Sequence, residues 1–447
     1  MINRNQKRLH RFIFFCCILV MSFFFACSQS QDEKTPNTKN KSQEAKTIKI
    51  AVNAGPEGNA IKRLAPEFKN AKIELIELAY QPLREQLISS LRDSFTDFDV
   101  IMIDDPWFPQ LAMHLSQIDG APKTLIDDIV KPSLDLCKDP YGSGKLYAMP
   151  YVGNTQLLFY RKDIIDELGI AKIPNNWEEL AELSTKIYKG RTPKESDKKY
   201  FGYCIRGRVG APIVTDFLPI YWSLGGGLVD NRGTPSKEAI DKDKFLKALK
   251  IYNQLKESSP PGASNFDWSE MTAAFTNGQA VFQLNWPAAI EMINANLDPQ
   301  KGEKWGILSP PGSSTNTDTG TSMIGNWLLA IPKDSKKKVE AEEFIIWLME
   351  KQKEVASEGN PPTRKSVFNA ISSKEGLEYF KTIQEALVKS TPRVRSEKWA
   401  QIEDSVSRSV SGFLSGNFSE EVAFENLQID LKKLFGEPIT QKQSVQE

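Results

Sequence analysis

The stretch from Thr47 to Asp105 constrains the fold more than any other part of the sequence. In TIKIAVNAGPEGNAIKRLAPEFKN, Ile48, Ile50 and Val52 alternate as in a strand, and GPEGN supplies a turn. Ala60, Ile61, Leu64, Ala65 and Phe68 then recur at helical spacing. AKIELIELAY reads as a second strand, LREQLISSLRDSF as a second amphipathic helix, and FDVIMIDD as a third strand bounded by acids. Strand-helix-strand-helix-strand predicts a parallel sheet with right-handed crossovers. In open α/β sheets ligands settle on the loops after the strand carboxyl ends. Here those loops carry Gly55-Pro56-Glu57-Gly58 and Asp104-Asp105-Pro106-Trp107.

The middle of the chain keeps this character without repeating the sequence. LYAMPYVGNTQLLFYRKDII places an apolar strand, Leu157–Tyr160, after a Gly/Asn turn. In PNNWEELAELSTKIYKG, Asn176 is the expected N-cap, with Glu179 three residues on and Gly190 at C′. Trp177, Leu180, Ala181, Ser184, Ile187 and Tyr188 share one face, which makes Trp177 a core residue. FGYCIRG reads as a strand, DFLPIYWSLGGGLVDNRG contains a Gly-rich loop, and DKDKFLKALKIYNQLKESS is a helix with a charged face. The remainder is mainly helical, as in KKKVEAEEFIIWLMEKQKEV and WAQIEDSVSRSVSGFLSG.

The amino terminus stands apart from this body. Arg4, Lys7, Arg8 and Arg11 precede an almost uninterrupted apolar run from Phe12 to Phe25, then FFAC, then polar residues only. The run is short for a membrane span, which needs about 20 apolar residues, and fits a signal sequence. A small residue followed by Cys resembles a bacterial lipoprotein signal, although Phe24 stands where that signal usually has Leu. Residues 1–26 are therefore expected to be a signal peptide and Cys27 the lipidated first residue; the alternative is an ordinary signal with an incidental Cys. Residues 27–46 are too polar to order themselves and read as a tether. Ser28–Lys46 would span roughly 25 Å as a coil. Cys137 and Cys204 match no metal spacing and read as buried free thiols rather than a bridge.

Catalytic signatures are sparse. Lysine plus arginine and aspartate plus glutamate each number 57, so no charge excess marks a nucleic-acid or anionic-membrane binder. After Cys27 the only histidine is His114, which removes most prospects for a Ser-His-Asp or Cys-His mechanism. HExxH is missing, GSGK (142–145) lacks the rest of a phosphate loop, and no acidic loop has calcium-hand spacing. Neither a metal nor a cofactor is expected. Asp104 and Asp105 could in principle hydrolyse a glycoside, but adjacent strand residues point to opposite sides. Aromatic residues beside turns carry more information: Trp107 after DDP, Tyr151 before VGN, Trp222 before SLGGG, Trp286 before Pro287, and Trp327 after IGN. A sugar needs apolar ring faces for its C–H surface and polar side chains for its hydroxyls. For Trp286 strict alternation with Ala280, Phe282 and Leu284 favours the core, whereas the strand end at Pro287 favours a binding platform.

At these residues the chain resembles the extracellular solute-binding proteins of ABC importers, in the sugar-binding branch related to maltose-binding protein. The segments carrying the resemblance are GPEGNAIKRLAPEFK, DVIMIDDPWFPQLA, LYAMPYVGNTQLLFYRKDII, FLPIYWSLGGG, AFTNGQAVFQLNWP, GNWLLAIPKDSKKKVEAEEFIIWL, PPTRKSVF and WAQIEDSVSRSVSGFLSG, in that order and over nearly the whole body. The resemblance implies a type II periplasmic-binding-protein-like fold, two discontinuous α/β lobes joined by a hinge that closes on the ligand. Crossings are expected near Gly153, Met323 and Asn360. Residues 47–153 and 324–360 would then form the first lobe, 154–323 and 361–440 the second, and 441–447 a disordered tail. By the same resemblance Glu57 and Asp104 would reach ligand hydroxyls from the first lobe. Asn154 would stand where this branch often has Asp, replacing an acceptor by a group that also donates. Tyr151, Trp222, Trp286 and Trp327 would offer stacking surfaces, with Trp107 and Asn285 as further contacts. Arg364 would present a forked donor, or else form an interlobe ion pair.

The implied function is a receptor, not an enzyme. It would be a monomer held by its lipid on the extracytoplasmic side of the cell envelope, in the periplasm or at the cell surface. It would capture a sugar or oligosaccharide and deliver it to an ABC permease, with no nucleic-acid partner. The alternatives are the same receptor for a phosphorylated polyol or small peptide, and a carboxylate-dependent glycoside hydrolase.

Overall fold

The computed structural model describes residues 46–93, 95–228, 240–315, 321–357 and 359–435. The expected signal peptide, Cys27, the tether up to residue 45 and the tail at 441–447 lie outside the described residues.

Eleven strands occur among the described residues: β1 (Thr47–Asn53), β2 (Lys72–Leu78), β3 (Val100–Asp104), β4 (Lys138–Asp139), β5 (Lys145–Leu146), β6 (Ala148–Val152), β7 (Leu157–Arg161), β8 (Phe201–Tyr203), β9 (Ala280–Asn285), β10 (Trp305–Leu308) and β11 (Trp327–Ala330). The first sheet has the order β2-β1-β3-β11-β6 and the second β10-β7-β9-β8, while β4 and β5 form a small hairpin. As the opening pattern predicts, β1 pairs in parallel with both β2 and β3. β11, which arrives from far along the chain, is antiparallel to β3 and β6.

The helices follow their apolar spacing. Leu83, Leu87 and Leu91 recur every fourth residue along helix Tyr80–Arg92 and are its buried side chains. Helix Trp177–Tyr188 starts where its cap predicts: the Asn176 side chain accepts from the Glu179 N–H at 2.9 Å, and Trp177 is fully buried. Gly190 takes φ 65° just beyond the helix end.

Two large apolar cores result among the described residues, beside a small cluster of Cys204, Met271, Ala274 and Ala280. One gathers Ile50, Val52, Ile101, Ile103 and Leu328 of the first sheet under Phe344 and Leu348. The other gathers Trp177, Tyr203, Phe217, Phe245 and Phe282 with Ile402, Val406 and Leu427. β7 serves both, because Leu157 and Phe159 face the first core and Leu158 the second. Cys137 and Cys204 are free and buried, as expected.

Among the described residues the chain passes between the lobes at three places that run side by side. Thr155 bridges Ile324, and Met323 bridges Thr391. The Gly325 N–H donates to the Asn154 carbonyl at 2.9 Å, and the Ile324 N–H to Thr391 at 3.0 Å. The third crossing therefore lies at Thr391, not near Asn360. Asn360 donates to the Pro56 carbonyl in the first lobe at 3.0 Å. Val367, Phe368, Ile371, Phe380 and Ile383, expected in the second lobe, belong to the first core. Helical spacing shows that such segments are amphipathic, and it does not show which core their apolar face meets.

Candidate functional site

The carboxyl ends of β1, β2 and β3 and the amino end of β11 meet at one edge of the first sheet. Each presents a side chain there because its strand stops there. Glu57 enters helix Pro56–Leu64 after β1, and Tyr80 opens helix Tyr80–Arg92 after β2. Asp104 ends β3, and Trp327 begins β11 directly opposite it. Tyr80, Trp107 and Trp327 form an aromatic wall in which Tyr80 is half-buried and both tryptophans are buried at the margin of the first core. The Tyr80–Trp107 centroids are 4.8 Å apart, and Trp327 meets Trp107 edge-on at 5.9 Å and Tyr80 at 6.0 Å. Such edge contacts suit the ring quadrupoles.

Behind the wall lies a buried ion network. The Tyr80 hydroxyl donates to Asp104 Oδ2 at 2.6 Å, and Arg393 donates to Oδ1 through Nη2 at 2.7 Å and to Oδ2 through Nη1 at 3.2 Å. Arg393 Nη2 also reaches Asp105 Oδ2 at 2.8 Å. Arg395 donates to the Asp105 carbonyl at 2.5 Å and the Leu136 carbonyl at 2.9 Å, with its guanidinium 5.5 Å from the Phe108 ring. Charges taken this far from water persist only when paired and hydrogen-bonded. Burial raises Asp105 to about 6 despite the opposing pull of Arg393. Burial also disfavours the Arg393 cation, and Asp104 with Asp105 more than restores it. The two aspartates do not diverge as strand neighbours would. Asp105 already belongs to the short turn 105–107, so one guanidinium spans both.

Glu57 is buried beside this network. Asn53 Nδ2 donates to its Oε2 at 3.3 Å, and Asn53 and Trp327 both favour its charged form. Burial nevertheless pushes its carboxyl above the usual range. Tyr151 has no exposed surface; its hydroxyl donates to the Glu57 carbonyl at 3.3 Å, so it supports that turn from beneath.

From the other side come residues of the crossings and the second sheet. Asn154 and Asn326 flank the first two crossings, and Asn154 Oδ1 and both amide atoms of Asn326 are buried without a protein partner. Unmet buried hydrogen-bonding capacity is costly and uncommon. Trp286 is half-buried at the end of β9, its ring lying over Gly325 so closely that a Cβ there would sit 2.5 Å from Cζ3. Arg206 follows β8, and beside it Asp216 on helix Ala211–Ser223 is pushed by burial to about 7. Among the described residues no group of three His, Cys, Asp or Glu could hold a metal.

Residues 54–354 match the family described as bacterial extracellular solute-binding protein. The chain belongs to that family. This solute-binding protein is 25% identical to a "Probable ABC transporter-binding protein" of Deinococcus radiodurans over 85% of its own chain and 87% of the relative. It is 25% identical to a mannitol-binding protein of Pseudomonas aeruginosa over 68% and 69% of the two chains. Among solved structures it resembles maltose-bound MalE3 of T. maritima, with TM-score 0.76 and 25% identity over 87% of this chain and all of that one. The solute-binding protein thus has the two-lobed α/β architecture expected from the sequence, and its family and fold are those of transport binding proteins.

Within this solute-binding protein, Glu57, Asp104, Trp107 and Trp327 come together at one sheet edge. Trp222 sits half-buried on the second core near the end of its helix. Three expected contacts are committed elsewhere, the first being Tyr151, which is fully buried beneath the Glu57 turn and offers no stacking surface. Asn285 is fully buried, donating to Thr272 Oγ1 at 3.0 Å and accepting from the Trp286 N–H at 2.8 Å. Arg364 donates from Nε to Asp128 at 2.9 Å and from Nη1 to the Met349 carbonyl at 3.1 Å, a tie within the first lobe rather than between lobes. Tyr80, Arg393 and Arg395 escaped the sequence reading. Tyr80 had a usable signal, since it follows a strand; the two late arginines had none, their partners being nearly 300 residues away.

Proposed function

We propose that this protein captures a neutral sugar or sugar alcohol between its two lobes and delivers it to an ABC permease. The observation carrying the reading is the aromatic wall of Tyr80, Trp107 and Trp327 beside the carboxylates Glu57 and Asp104, at strand carboxyl ends. Ring faces serve the C–H surface of a polyhydroxylated solute and the acids its hydroxyls. Arg206, Arg393 and Arg395 each have an acidic partner, which favours a neutral solute over a phosphorylated one. The maltose in the T. maritima relative and the name of the P. aeruginosa one agree with this class.

Micromolar binding requires about −8 kcal/mol, within reach of one or two stacked rings and several hydroxyl bonds. The receptor works as a monomer, and Cys27 carries the lipid that keeps it on the extracytoplasmic face. Calorimetry against mono-, di- and trisaccharides and polyols tests the ligand class: one or more members bind at micromolar to millimolar levels, and silence across the panel overturns the reading. Fatty-acid labelling of the protein in its host, with Cys27→Ser as the unlabelled comparison, tests the anchor.

A further inference from the structure

We propose that Arg206 is the second lobe's polar arm in the binding site, donating to a solute hydroxyl that Tyr80 and Asp104 hold from the first lobe. The inference rests on the sugar-binding reading and adds a residue to it. Arg206 lies just past the carboxyl end of β8, the edge strand that runs parallel to β9 in the second sheet. Its guanidinium is locked in place. Nε donates to Asp267 Oδ1 at 2.6 Å, Nη2 lies 2.6 Å from the same oxygen, and Nη1 donates to Thr215 Oγ1 at 3.2 Å. Its own N–H donates to Asp216 Oδ2 at 2.9 Å.

Those bonds fix the fork and still leave a second N–H on each Nη nitrogen. A pre-oriented donor loses little entropy on meeting a ligand. The charged and titratable neighbours of the guanidinium come from both lobes: Asp216 acts on it most strongly, followed by Tyr80 of the first lobe, Tyr252, and Arg393 of the third crossing, and both Tyr80 and Arg393 bond Asp104. Only 15% of the side chain is exposed, so a bond made there is shielded from water. Arg208 supplies an internal comparison. It pairs with the other oxygen of Asp267, yet its side chain is 53% exposed and turned outward.

The test begins with the wild-type chain and the panel of sugars and polyols, then carries each binder to variants. Arg206→Met should weaken binding about ten- to a hundredfold, the range of one hydrogen bond from a charged donor. Arg208→Met should bind within about twofold of wild type, since exposed ion pairs contribute little. Arg206→Met also removes an Asp267 partner, so its melting temperature is read alongside and a double-mutant cycle with Tyr80→Phe is added. Residues acting on one bound solute from opposite sides give a non-additive cycle in affinity; a purely structural Arg206 gives an additive one. Should Arg206→Met fail to fold, Arg206→Lys keeps the charge without the fork and takes its place in the cycle. Wild-type binding with unchanged affinity in the Arg206 variants overturns this inference and leaves the sugar reading standing. A silent wild type removes both.

Discussion

Trp286 can be judged by what its truncation costs. Its indole is only half-buried, packing against the second core and close over Gly325. Removing a fully buried tryptophan costs about 3–5 kcal/mol of stability; Trp286→Ala should cost clearly less in urea unfolding while weakening solute binding by about 1–2 kcal/mol. A stability loss in the fully buried range with unchanged affinity would make it a core residue. Asp216 predicts a pH effect. Burial raises its folded pKa to about 7, above the ordinary aspartate range, so its contribution to stability is complete in acid and fades as pH climbs towards and past 7. The unfolded chain gives up this proton first, and the slope approaches about 1.4 kcal/mol per pH unit across the window. Asp216→Asn resembles the protonated acid and should flatten the decline between pH 4.5 and 7; parallel curves for variant and wild type would show that Asp216 is ionised in the fold. At this scale the sequence revealed what strand ends reveal. Glu57, Trp107 and Trp327 stand beside turns that periodicity marks, whereas Arg393 is defined by partners that no local pattern contains.

Among the elements, the third crossing departs most from expectation. Helices Lys365–Ser372 and Tyr379–Val388 are legible as helices, yet their attachment to the first core depends on three-dimensional neighbours such as Phe344 and Ala356. After them the segment Thr391–Ser396 is anchored to the first lobe by Arg393 and Arg395, while Trp399 and Ile402 just beyond it enter the second core. The two arginines divide the work. Arg393 faces the site through Asp104, and Arg395 secures the segment to the Asp105 and Leu136 carbonyls away from it. Breaking one member of a buried charged set typically costs about 3–5 kcal/mol, because the partner is left uncompensated. Arg395→Met should therefore lower stability by that order in denaturant titration and leave the affinity of the still-folded fraction within about threefold. An affinity loss without a stability loss would place Arg395 in the binding site instead of the hinge.

For the molecule as a whole, the packing argues against two independently stable lobes. The first core is not confined to the first sheet. It also takes in Leu157 and Phe159 of β7, Ile307 of β10 and the buried face of helix Ala289–Asn296, with Trp305 lying 5.7 Å from Tyr379 across the join. Met323 and Val394, from the second and third crossings, are counted in the second core. Loss of either core would expose apolar surface in the other, at about 25 cal/mol per Å². The chain should accordingly unfold in one transition in scanning calorimetry, with matching calorimetric and van't Hoff enthalpies. A solute bound between the lobes then stabilises the entire unit. At about a thousand times its Kd it should add about 4 kcal/mol and move the single transition upward without splitting it. Two transitions, only one of them sensitive to solute, would mean that the shared packing is too weak to couple the lobes and that the site belongs to one lobe alone.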